Sequence, residues 1–93
     1  MRLSRYEADV IKHSVYKHDP EANVYLFGSR VDDTKKGGDI DLLILSNKIV
    51  FTDKIDIKAA IFEKLEEQKI DIVIARDKKK PFVKLALKQG VLL

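Results

Sequence analysis

The chain has 93 residues, 45% of them hydrophobic and 35% charged, and 18 Lys+Arg against 15 Asp+Glu leave a net charge of +3. That length allows one domain and excludes two independent cores; the composition is that of a folded chain, and the charge is too small to imply nucleic-acid binding by itself. With no cysteine and 2 histidines, disulfide frameworks and thiolate metal sites are excluded, and structural zinc is disfavoured.

Ser4 is placed to cap a first helix, with Glu7 completing a capping box. Tyr6, Val10 and Ser14 then fall on one face as far as about His18, and Asp19-Pro20 breaks the helix. Val24 to Phe27 reads as a buried strand ended by Gly28. Ser29 is expected to cap a short helical turn through Val31 to Asp33. Thr34 to Gly38 is a loop with Gly37-Gly38 at its end. Asp39 to Leu45 is a second strand, and its half Leu43-Ile44-Leu45 suits a strand covered on both sides. Ser46-Asn47-Lys48 is a turn. A second helix is expected from about Thr52 to Gln68, with Lys58, Ile61, Phe62 and Leu65 on one side, Ile55 and Ala59 extending the stripe, and Glu63, Glu66 and Glu67 outside. Ile70 to Ala75 is a third strand. Pro81 opens a last helix with Phe82, Leu85 and Ala86 as its apolar face, and Gly90 stops it. The expected fold is α/β (α+β), a small three-stranded mixed sheet flanked by helices, in a single domain over residues 1–93.

The chemistry concentrates between Leu26 and Ile44. Gly28-Ser29 follows a strand and opens a helical turn. Glycine there lets a ligand approach the backbone, and N–H groups at such a turn, with the Ser29 hydroxyl, suit a phosphate. Asp39 and Asp41 alternate with apolar residues, so both carboxylates take the same side of their strand. Two such anions repel unless a cation lies between them, and hard oxygen ligands select Mg²⁺ or Mn²⁺. Asp71 alternates with Ile70, Ile72 and Ile74 on the third strand, where aspartate is disfavoured. If the two strands are in-register neighbours, Asp39, Asp41 and Asp71 make one acidic cluster beside Gly28-Ser29. Carboxylates, divalent metal and a phosphate site are the parts that in-line nucleotidyl transfer requires.

Gly28-Ser29-Arg30, a spacer, then Asp39-Ile40-Asp41-Leu42, with Asp71 on a later strand, resembles the motif of the DNA polymerase β-like nucleotidyltransferase superfamily, and the short chain resembles its minimal nucleotidyltransferases. The resemblance implies that Asp39, Asp41 and Asp71 are catalytic and hold metal, two Mg²⁺ ions in the first instance, with Mn²⁺ as the alternative. It implies that Gly28 and Ser29, with Arg30 as a further contact, hold the phosphates of an NTP, ATP first. It also implies a HEPN-domain RNase toxin as partner and a tyrosine of that toxin as acceptor. The chain would then be the antitoxin of a toxin–antitoxin pair, in a hetero-oligomer or alone as a homodimer. The alternative is a non-catalytic antitoxin that neutralises the partner by covering it. An aminoglycoside nucleotidyltransferase or a template-directed polymerase would need a larger C-terminal region.

Other features have plainer readings. Arg30 could equally pair with Asp32 or Asp33. The run Lys78-Lys79-Lys80, with Arg76, Lys84 and Lys88, reads first as a solvated face, and direct nucleic-acid binding is not expected. His13 and His18 do not share a helix face and receive no role. The tyrosines and phenylalanines read as core or groove walls. Val91-Leu92-Leu93 either packs back on the sheet or joins an interface. The expectation favours the interface, because the two longer helices would already fill one sheet face. A domain below roughly 100 residues has little room for a substrate lobe, so a partner is expected to complete the cleft. No apolar run approaches the ~18 residues of a membrane span, and the first residues lack a signal-peptide stretch. Localisation is therefore expected to be cytoplasmic, with no membrane contact.

Overall fold

Ser4 opens the first helix as expected. Its Oγ accepts from the Glu7 N–H at 3.0 Å, and Glu7 Oε1 accepts from the Ser4 N–H at 2.9 Å, which satisfies two backbone donors at the helix start. A computed structural model of the chain describes residues 3–32, 34, 38–65 and 69–93. Its elements in chain order are α1 (Arg5–Tyr16), β1 (Asn23–Phe27), a 3-10 turn (Gly28–Val31), β2 (Ile40–Leu45), α2 (Phe51–Lys64), β3 (Ile70–Ala75), α3 (Pro81–Gln89) and β4 (Val91–Leu92). Among the described residues, no helix is long and apolar enough to cross a membrane.

The strands form one mixed sheet in the order β3-β2-β1-β4. β1 runs antiparallel to both β2 and β4, and β2 runs parallel to β3. The sheet therefore has four strands where three were expected. The fourth is the apolar tail: Leu92 pairs with Tyr25, Val91 pairs with Leu26, and the Leu93 N–H donates to the Val24 carbonyl at 2.9 Å. A segment this short shows no alternation in sequence, which is why it did not read as a strand. Gly90 makes the connection possible. A Cβ there would lie 2.6 Å from the Ala86 carbonyl oxygen and 3.1 Å from that of Leu26.

The sheet is covered on both faces. On one, Ile11 and Val15 of α1 and Ile57 and Ile61 of α2 pack with Val24, Leu26, Ile40, Leu42, Ile44, Ile70 and Ile72. On the other, Val83 and Ala86 of α3 pack on Leu43 and Leu45. The last helix thus has its own face of the sheet, and β2 is buried from both sides as its apolar run implied.

Each helix turns a slightly different stripe inward from the one expected. In α1 the buried residues are Ile11, Ser14 and Val15, while Tyr6 is exposed. In α2 they are Ile57 and Ile61, followed by Leu65, while Ile55 and Phe62 are exposed. In α3 Val83 and Ala86 are buried, and Phe82 and Leu85 are exposed. These helices carry more apolar residues than one stripe holds, so packing against the sheet selects among rival faces. α2 ends at Lys64, where Leu65 turns extended; the expected continuation over 66–68 lies outside the described residues, as do Asp33 and Gly37.

A buried polar link joins the end of α1 to the turn after β2. Asp19, only 2% exposed, accepts from Ser46 Oγ at 2.6 Å and from the Glu21 N–H at 3.0 Å. Ser46 Oγ in turn accepts from the N–H groups of Lys48 and Ile49, both at 3.0 Å. Nearby, His18 Nδ1 lies 3.4 Å from Asp53 Oδ1, and Asp53 Oδ2 accepts from the Val50 N–H at 2.9 Å at the start of α2.

Candidate active site

The parallel pairing of β2 with β3 sets Asp41 directly opposite Asp71. The antiparallel pairing of β1 with β2 sets Asp41 opposite Phe27. Partners across a ladder share a face, so Asp41 is flanked by Asp71 on one side and by the end of β1 on the other. Asp39 lies just before β2 and is spaced for the same side. Farther along this face come Leu43 and Leu45, covered by α3. The acids therefore occupy the open end of a face whose remainder is core. Asp41 is half-buried and Asp71 exposed.

After Phe27 the chain turns at Gly28, which takes a φ of +79°. A Cβ at that position would run into the Asp41 carboxylate, so only glycine brings this turn against the acid. The 3-10 turn begins at Gly28 and is preceded by Phe27 as its cap residue, with no side-chain cap bond. Ser29 therefore lies inside the turn instead of capping it. Its carbonyl accepts from the Asp32 N–H at 3.1 Å. Arg30 Nε donates to the Gly38 carbonyl at 3.3 Å, which ties this turn to the residue just before Asp39.

Electrostatics mark Asp41 as the centre. Burial, then the charges of Asp71 and Asp39, push its carboxyl above the ordinary carboxylate value, and Lys69 opposes them. Lys69 was not anticipated, although the register makes its place legible: Ile40 pairs with Ile70, so Asp39 and Lys69 precede paired residues. Lys69 Nζ lies 3.4 Å from Asp39 Oδ2, with the lysine 72% and the aspartate 40% exposed, an open pair of small energetic value. Phe27 and Phe82 meet edge to face, with centroids 5.8 Å apart, and wall the site on the α3 side.

The arrangement is an open shelf. Among the described residues, no three acidic or histidine side chains converge closely enough to hold a metal ion. The donor chemistry nonetheless suits a hard divalent cation. Asp41 and Asp71 face one another across two strands; burial first, and then the charges of Asp71 and Asp39, disfavour the Asp41 carboxylate, and a bound cation would offset the repulsive part. Asp41 and Asp71, with Asp39 just before β2, are the carboxylates at this end of the sheet.

Compared with known families, residues 9–93 match the one described as Polymerase beta, Nucleotidyltransferase. No curated protein matches the chain.

Proposed function

The chain belongs to the polymerase beta nucleotidyltransferase family, and from that premise we propose that it transfers a nucleoside monophosphate, AMP from ATP in the first instance, to an acceptor hydroxyl. The observation that carries the site is the Asp41–Asp71 pairing with Gly28 packed on Asp41. Gly28 and Ser29 hold the β- and γ-phosphates, and Arg30 adds a further contact. Asp39, Asp41 and Asp71 hold the divalent ions. When bound, Mg²⁺ neutralises the triphosphate and lowers the pKa of the attacking hydroxyl.

The acceptor oxygen forms a bond to the α-phosphorus, the bond to the bridging oxygen of the β-phosphate breaks, and pyrophosphate leaves. Asp71, the most exposed of the three acids, accepts the proton of the incoming hydroxyl. Asp41, wedged against Gly28, fixes the spacing between the phosphate turn and the acid row.

The motif of the minimal nucleotidyltransferases supports a tyrosine on a HEPN-domain toxin as the acceptor and the role of antitoxin for this chain. The test is incubation with Mg²⁺, ATP labelled at the α-phosphate and a HEPN-domain protein. Label is expected on the partner with the wild-type chain and not with the Asp39→Asn/Asp41→Asn variant. Equal labelling with both chains overturns the assignment. A stable complex without any labelling overturns transfer in favour of neutralisation by covering. The open shelf also gives a binding expectation: calorimetry with Mg²⁺ and ATP on the isolated chain reads a Kd weaker than micromolar, because a ligand covered on one side gains less than an enclosed one.

A further inference from the structure

We propose that the outer edge of β3 is a docking site for an extended polypeptide segment with an acidic end, which adds to the sheet as a further strand. β3 ends the sheet, and among the described residues no strand pairs with its outer side. The Ile40 N–H donates to the Lys69 carbonyl, and the Ser46 N–H to that of Ala75, both at 3.0 Å. Those carbonyls face β2. The two-residue period of the ladder then turns the N–H and C=O groups of Ile70, Ile72 and Ile74 outward. Such a row is a template for strand addition, and proteins ordinarily blunt it with charge, proline or cover. This one, Ile-Asp-Ile-Val-Ile-Ala, is apolar apart from Asp71 near its start.

Two grooves flank the edge, one on each face. The first, about 440 Å³, is lined on the α2 side by Val50, Phe51 and Lys54 together with Ile74 and Arg76. The second, about 410 Å³, is lined on the α3 side by Phe82, Val83 and Lys80, again with Ile74 and Arg76. Phe51 is 72% and Phe82 50% exposed. An added strand sends alternate side chains to opposite faces, so it would fill both grooves at once, as strand addition does.

Charge selects the occupant. Lys54 on α2, Arg76 just after β3 and Lys80 just before α3 surround one end of the edge. Against them stands Asp77, whose Oδ1 already accepts the Lys79 N–H at 2.9 Å. The other end holds Asp71. A segment with acids at the Arg76 end and none beside Asp71 matches this layout. A second copy does not. Antiparallel self-pairing centred on Ile74 sets Asp71 opposite Asp77, and pairing centred on Val73 sets Ile70 opposite Arg76. If the transfer reading holds, on which this clause alone rests, a segment on this edge carries its hydroxyl residue past Asp71, on the side of Asp41 away from Gly28.

The experiment uses short dye-labelled peptides that alternate valine and threonine around one tyrosine, with a glutamate pair or a lysine pair at one end. Fluorescence anisotropy without nucleotide gives affinity, and amide NMR shifts locate binding. Glutamate-ended peptide is expected to bind about tenfold tighter than lysine-ended peptide, with shifts concentrated over Ile70 to Arg76. Ile74→Pro removes an outward N–H and no bond to β2, a placement tolerated at edges, and should weaken binding about tenfold. Should that variant fail to fold, Arg76→Glu with Lys80→Glu, both exposed, carries the test by reversing the charge preference. Equal affinity for both peptides, or shifts confined to α1, overturns the proposal. So does a dimer in sedimentation that Ile74→Pro dissolves, which would make a second copy the occupant. Because binding is read without nucleotide, docking without transfer counts against the transfer reading alone. Transfer by a chain that docks neither peptide counts against the edge alone.

Discussion

Gly28 lies against Asp41 so closely that a Cβ at position 28 would collide with the Asp41 carboxylate. The left-handed backbone of Gly28, φ +79°, is strained for any other residue at about 1–2 kcal/mol. Gly28→Ala is therefore expected to lower the melting temperature by strain and collision together, and to abolish labelling of an acceptor. In an Asp41→Ala background the collision disappears and only strain remains. A double-mutant cycle by urea denaturation should show coupling of about 1 kcal/mol; additive losses would mean that the two residues do not press on each other.

Asp41 is the acid that resists ionisation, pushed up by burial and by Asp71 and Asp39. Its raised folded pKa means that the folded chain holds its proton longer than the unfolded chain. Stability falls as pH rises from the ordinary carboxylate value through the raised one, and the penalty stays in full above it. Asp41→Asn should raise the metal-free melting temperature at neutral pH and flatten this part of the pH profile. The same change should cut transfer about 100-fold or more, since even the partners of metal ligands are worth 10–100-fold. Calorimetric melting across mildly acidic pH, with transfer assays beside it, checks both halves.

Asp19 behaves in the opposite sense. The Ser46 hydroxyl, then the Glu21 N–H, hold its carboxyl below the ordinary value, against burial and with help from Lys48. Its contribution to stability is present above the unfolded pKa and is lost as pH falls through the lower folded one. Ser46→Ala removes the donor and leaves the N–H groups of Lys48 and Ile49 without their acceptor. A loss of about 2–3 kcal/mol is expected, as for hydrogen bonds to charged groups, with an acid-unfolding midpoint at higher pH. Circular dichroism during acid titration reads both.

Removing Val91 to Leu93 should destabilise the isolated chain. These residues pair with β1, and Leu93 packs against the main core. The expected loss is about 1–3 kcal/mol from apolar burial and edge pairing. An unchanged melting temperature with weakened partner binding would restore the interface role that the sequence suggested.

Local signals were legible in the sequence wherever one residue type is required for one reason. Ser4 with Glu7, Pro81 and the acid-apolar alternation of Asp39-Ile40-Asp41 and of Ile70-Asp71-Ile72 each specify their element through nearby atoms. The family and the three candidate carboxylates followed from them. Long-range choices were not legible. Whether Ile57 or Phe62 faces the sheet depends on which rival stripe packs, and periodicity cannot rank stripes of similar width. Val91-Leu92 becomes a strand because β1 offers it an edge, and Asp19 finds Ser46 across 27 positions. The register that sets Asp41 opposite Asp71, brings Lys69 beside Asp39 and turns the backbone of Ile72 outward is decided by strand pairing, because only the assembled sheet fixes which residues share a face and which edge stays open.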